Sequence, residues 1–242
     1  MKIITVSNYD EMSAEAARVF LDQVAKKPTA VLGLATGGTP VGTYQRLAEA
    51  HRRGEISFAQ CQSLNLDEYL GLGPTDEASY RYFMQANLFD HIDIRPEHTH
   101  LPDGKNPDVA LECARYDQLL ADLGPIDLQI LGLGHNGHIA FNEPNDHFAA
   151  NTHMVDLDEA TIEANQRFFP SRDEVPRQAY TMGMRPILNA RHVLFLVSGT
   201  AKADILRQSL QGPITPFVPA SILQLHGNLT VIADEAALSR FS

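Results

Sequence analysis

The stretch LGLGHNGHIAFNEP (131–144) crowds His135, Asn136, His138, Asn142 and Glu143 into one short loop behind a run of apolar and glycine residues. Imidazole titrates near neutrality, and an imidazole whose ring N–H is taken by a second group is a common general acid–base. On this reading His138 moves the proton, while Asn136 offers its side-chain carbonyl and Glu143 its carboxylate to the ring. A metal site built on His135, His138 and Glu143 is the competing use. Gly137 interrupts any helix that would aim the two imidazoles together, and no further ligand is placed beside them, so no metal is expected.

Three other clusters and one isolated cation carry chemistry. In TGGTP (36–40), Gly37 and Gly38 allow positive φ and a close backbone approach to a ligand, and Thr39 can cap a helix that has Pro40 near its first turn. Thr36, Gly37, Gly38 and Thr39 thus form a candidate anion cradle, most simply for phosphate, although a plain strand-to-helix turn would use the same residues. The lysine of a Walker motif and the third glycine of GxGxxG are missing, so nucleotide binding is not indicated. SGTAK (198–202) repeats the theme, with Ser198 and Thr200 as caps and Lys202 in a first turn, where a cation opposes the helix dipole unless an anion offsets it. Arg167, in ANQRFFP, follows 51 residues without Lys or Arg, and is either an anion clamp or a guanidinium stacked on a phenylalanine. Asp67 and Glu68 come directly after QSLNL; a partly buried carboxylate there can serve as a base, or simply cap a turn or helix.

These clusters need strands to present them. Short β-branched apolar runs (KIITV, AVLGLAT, CQSLNL, IDLQILGLG, HVLFLVSG, LTVIAD) alternate with amphipathic segments at 11–26, 40–53, 77–89, 108–123 and about 200–211. Runs that are apolar throughout suit strands covered on both faces, which predicts an α/β, mostly parallel, doubly wound sheet with helices on both faces and ligands at the carboxyl ends of its strands. All four polar clusters fall at such ends. Residues 1–242 read as one domain, with a lid at about 160–180 where Arg167 and two phenylalanines lie between irregular stretches containing Pro170 and Pro176.

A formal charge of −11 argues against nucleic acid or an anionic membrane as partner. Two cysteines without CxxC spacing, no signal-peptide pattern and no apolar run of membrane-spanning length point to a cytoplasmic protein.

Taken together, LGLATGGTPVGTY (32–44), NLDEYLGL (65–72), SYRYFM (79–84), LGLGHNGHIAFNEP, ANQRFFP (164–170), YTMGM (180–184) and SILQLH (221–226) make the chain resemble the glucosamine-6-phosphate deaminase (glucosamine-6-phosphate isomerase) family over nearly its whole length. The resemblance implies a Rossmann-like fold and conversion of glucosamine 6-phosphate and water into fructose 6-phosphate and ammonia, with no cofactor. It implies that His138, supported by Asn136 and Glu143, opens the pyranose ring, and that Asp67 carries the proton from carbon 2 to carbon 1. Thr36, Gly37, Gly38, Thr39, Arg167 and Lys202 would hold the phosphate. Many longer members carry aspartate where Asn136 stands, which changes the expected pH profile. The segment NDHFAANTHMVDL lacks the basic residues of the allosteric members, so a monomer or small homo-oligomer without N-acetylglucosamine 6-phosphate activation is expected. The rivals are a 6-phosphogluconolactonase-like hydrolase, which needs no carbon 2 base, and a sugar-phosphate sensor, which would normally carry a DNA-binding segment. A related deaminase acting on galactosamine 6-phosphate is a third rival.

Overall fold

A computed structural model describes residues 1–241. The strands are β1 (Lys2–Val6), β2 (Val31–Leu34), β3 (Gln62–Asn65), β4 (Asp67–Tyr69), β5 (Thr99–His100), β6 (Leu128–Leu131), β7 (His153–Asp156), β8 (Gln178–Thr181), β9 (Val193–Val197) and β10 (Leu229–Asp234). The α-helices are α1 (Tyr9–Lys26), α2 (Val41–Arg52), α3 (Tyr80–Asn87), α4 (Val109–Leu123), α5 (Glu159–Asn165), α6 (Met184–Asn189) and α7 (Ala203–Gln211).

Seven strands form one sheet in the order β1-β10-β9-β6-β2-β3-β5, and every pairing in it is parallel. Four of the six apolar runs become strands buried along their whole length, β2, β6, β9 and β10, so the sheet's centre is covered on both faces as the sequence predicts, while KIITV becomes the exposed edge strand β1. Leu194, Phe195 and Leu196 are fully buried, each worth roughly 1.5–3 kcal/mol of apolar transfer. The chain winds outward from β2 through β3 to β5, then returns to the other side of β2 and winds outward through β6, β9 and β10. The topological switch point lies between β2 and β6. There the loops diverge and leave a crevice at the carboxyl ends.

Two features go beyond the sequence pattern. A three-stranded antiparallel sheet, β4-β8-β7, stands beside the main sheet, with Asp67 opposite Thr181. Its strands run only three to four residues, too short for periodicity to reveal. The segment at 160–180 is also more regular than expected: it contains most of α5, 3₁₀ turns at Gln166–Phe168 and Arg172–Glu174, and the start of β8. Among the described residues, no helix is long and apolar enough to cross a membrane.

Candidate active site

The four polar clusters follow β2, β3, β6 and β9, which are consecutive neighbours in the order β9-β6-β2-β3. Adjacent strands lie about 4.8 Å apart, so loops that are widely separated in sequence must converge on the same edge. They enclose a cavity of about 390 Å³ whose lining includes Thr36, Gly37, Gly38, Thr39, Asp67, Asn136, His138, Arg167 and Lys202. Glu143 stands behind His138 rather than in the lining.

The loop after β2 is ordered by two tyrosines. The Tyr9 hydroxyl donates to Gly38 O at 2.9 Å and accepts from Gly42 N–H at 3.0 Å, while the buried Tyr44 hydroxyl donates to Ala35 O at 2.6 Å and accepts from Ala35 N–H at 3.1 Å. Only Gly37 takes positive φ, at 86°; Gly38 does not, contrary to expectation. Nor does Thr39 cap α2. Pro40 occupies the N-cap in αR geometry without a side-chain cap bond, which leaves Thr39 facing the cavity.

The loop after β9 also departs from its expected caps. Ser198 Oγ donates to Asp234 Oδ2 at 2.5 Å and Gly199 N–H donates to the same carboxylate, so Ser198 braces the loop; Thr200 opens a 3₁₀ turn without a side-chain cap. Lys202 is itself the N-cap of α7 instead of lying in its first turn, and its Nζ reaches back to Leu133 O at 2.7 Å. Burial, then the nearby Arg167 charge, pulls the Lys202 ammonium down to about 8. Arg167 lines the cavity while its Cζ sits 4.7 Å from the Phe168 ring centroid, the stacking that its neighbours in sequence suggested.

After β3 the two carboxylates part company. Asp67 is 5% exposed and faces the cavity, and its carboxylate makes no hydrogen bond or ion pair among the described residues. Burial, reinforced by the charge of Glu68, raises its pKa well above the ordinary carboxylate range. Glu68 turns away and accepts main-chain N–H bonds from Tyr69 (2.8 Å), Tyr80 (2.9 Å) and Arg81 (2.8 Å), capping α3. Burial pushes it up to about 7 against the pull of those donors. Glu68→Gln sets an amide donor against one of these N–H groups, so it is expected to lower stability by about 1–3 kcal/mol in urea unfolding.

In the loop after β6, His138 Nδ1 lies 3.2 Å from Glu143 Oε2. An ionised carboxylate only accepts, so Nδ1 carries the proton in the neutral ring and Nε2 is left free to exchange one with a ligand. Asn136 holds the arrangement differently from expectation. Its carbonyl oxygen accepts the main-chain N–H of His138 (3.2 Å), not the ring N–H, and its amide donates to Glu143 Oε2 at 2.6 Å. Burial alone would raise Glu143, but the bonds from His138, Thr161 and Asn136 outweigh it and hold the carboxylate below its usual range. Gly134 is required here because a Cβ would come within 2.3 Å of the His138 ring. Gly137 takes positive φ, and no group of three or more His, Cys, Asp or Glu among the described residues is placed to hold a metal ion.

Sequence reasoning missed the residues that fasten this loop. Asn142 Nδ2 donates to Ile139 O (3.1 Å) and Met182 O (2.8 Å), and Thr181 Oγ1 accepts the Phe141 N–H at 3.1 Å. The bonds to Met182 and from Phe141 each bridge 40 residues of chain, and nothing local signals them.

A buried carboxylate and a carboxylate-held imidazole face one cavity at the switch point of a parallel sheet, with the Thr36–Thr39 loop, Arg167 and Lys202 in the same lining. The family model described as glucosamine-6-phosphate isomerases/6-phosphogluconolactonase matches residues 7–232, and the chain belongs to that family. It is 55% identical to a glucosamine-6-phosphate deaminase of Lachnoclostridium phytofermentans, over 96% of this chain and 98% of that protein. It is 53% identical to one from a Geobacillus species, over 99% and 95%. Among solved structures, a monomeric glucosamine-6-phosphate deaminase superposes with a TM-score of 0.96 at 47% identity, covering 99% of this chain and 100% of that one. A 6-phosphogluconolactonase from Thermotoga maritima shares the fold at a TM-score of 0.76 and 23% identity, covering 96% and 98%.

Proposed function

We propose that the protein converts glucosamine 6-phosphate and water into fructose 6-phosphate and ammonia. The observation that carries this reading is the joint presence, around one cavity, of Asp67, the Glu143-held His138, the Thr36–Thr39 loop, Arg167 and Lys202. Abstraction of the carbon 2 proton requires a neighbouring carbonyl, which the closed pyranose hides. His138 Nε2 therefore first relays the anomeric hydroxyl proton to the ring oxygen, opening the sugar to the aldehyde. Asp67 takes the carbon 2 proton, leaving an enolamine, and returns it to carbon 1. The resulting carbon 2 imine adds water and expels ammonia. The phosphate, held far from carbon 2, supplies binding energy that orients the reacting end.

Purified protein incubated with glucosamine 6-phosphate is expected to release ammonia and fructose 6-phosphate in equal amounts; absence of both refutes the reading. The phosphate role of Lys202 has a pH signature. A lysine titrating at about 8 is charged below that pH and neutral above it, so KM is expected to rise as pH passes 8. Lys202→Met should raise KM roughly 10- to 100-fold, with kcat changed much less and the step at about pH 8 removed.

The segment at 160–180 serves in this reading as a lid that brings Arg167 onto the phosphate. We place the enzyme in the cytoplasm, in keeping with its two free thiols, as a monomer or small homo-oligomer. Light scattering behind size exclusion measures the last point.

A further inference from the structure

We infer that Thr161 is a positioning residue that locks the Glu143–His138 pair to the helix leading into Arg167. This inference rests on the acid–base role proposed for His138. Thr161 belongs to α5, is 4% exposed, and donates its hydroxyl to Glu143 Oε1 at 2.6 Å. The same hydroxyl oxygen lies 3.4 Å from His138 Nδ1, close enough to share that ring proton with Glu143 as a long second acceptor. Glu143 is thereby fixed at both ends: Oε1 by Thr161, and Oε2 by Asn136 and the imidazole. Without the hydroxyl, Oε1 loses its donor in a largely dry setting, and the carboxylate can rotate off the ring.

The placement in the chain gives the contact its meaning. Thr161 and Arg167 line the same cavity, and the short remainder of α5 and one 3₁₀ turn join them. The bond thus ties the Glu143–His138 pair to the same short element that carries Arg167, so the two sides of the cavity share one support. Among the described residues, no other element supplies Oε1 with a side-chain donor.

The charges around the pair are those of the cavity and of its far side. His135, from the same loop, Lys202 and Arg167, from other elements, and Asp67 line the cavity together with His138. Behind the pair, Glu143 borders a second cavity of about 280 Å³ that also carries His147, His153 and Asp156. Replacing Thr161 leaves all of these charges in place, so a change in titration reports the lost hydroxyl.

Thr161→Val keeps shape, branching and burial while deleting the hydroxyl; Thr161→Ser keeps the hydroxyl. The expected result for Val is about a tenfold fall in kcat, the worth of one hydrogen bond to a charged group, with KM changed less than about threefold. The pH profile of kcat should shift, and Ser should recover most of both. His138 titration by imidazole NMR in the substrate-free protein should move in Val and return in Ser, whatever the substrate proves to be. Val with an unaltered His138 titration overturns the inference, as does a Ser variant as impaired as Val. If wild-type protein releases no ammonia but the NMR titration moves as expected, the functional reading fails and the positioning role stands.

Discussion

Asp67→Asn is expected to lower kcat at least about 10³-fold while substrate binding stays within a few-fold of wild type. The amide is isosteric, and among the described residues the wild-type carboxylate has no hydrogen-bond partner whose loss would disturb the fold, so the effect isolates the proton transfer. Burial strengthens this carboxylate as a base because the charged form is poorly solvated, and the adjacent Glu68 adds to the shift. The sign of the pH dependence follows. Asp67 must be ionised to accept the carbon 2 proton, and its raised pKa keeps it protonated to higher pH. Activity is therefore lost as pH falls, and the acid limb of kcat/KM should lie above the ordinary carboxylate value of about 4. The same substitution separates the two chemistries of the family: a lactonase needs no carbon 2 base and would survive it. An Asp67→Asn enzyme that still turns over glucosamine 6-phosphate at more than about a tenth of the wild-type rate would remove Asp67 from the mechanism.

His138→Gln is expected to cost about 10²- to 10³-fold in kcat. Glutamine can still donate to Glu143 but cannot cycle a proton at neutral pH. Its defect should be specific to ring opening, so an open-chain substrate mimic such as glucosaminitol 6-phosphate, which presents the same phosphate and amine without a ring, should bind the variant within about threefold of wild type by calorimetry. Equal loss of affinity for that mimic would mean that the imidazole binds rather than opens the sugar. Comparing the variant with Asp67→Asn is informative because the two residues come from different loops of one cavity and would serve successive steps of the proposed reaction.

The parts of this protein that are written locally were legible. An apolar run flanked by glycine and polar residues is a strand end wherever it occurs, because a buried strand must satisfy its backbone in the sheet and its polar neighbours must leave the core. On that ground AVLGLAT, QSLNL, LQILGL and VLFLV mark β2, β3, β6 and β9 and the clusters that follow them. The identity of His138 as the imidazole paired with Glu143 was likewise readable, since the two stand only five residues apart in one loop.

What depends on contacts between distant segments was not. DEY offers two carboxylates with the same local surroundings; only the start of α3, brought alongside β4, captures Glu68 with its N–H groups and leaves Asp67 facing the cavity. The expected caps at Thr39 and Ser198 failed because competing partners arrive from elsewhere in the chain, Tyr9 at the first loop and Asp234 at the second. Thr161 carries no mark in its helix and acquires its partner only when α5 packs over residue 143. Sequence alone determined the buried strands of the main sheet and what chemistry their ends can carry, since covalent neighbours set backbone and polarity together. Tertiary structure decided which side chain of each pair meets the cavity, because burial and hydrogen-bond partners are properties of the folded neighbourhood, not of the residue.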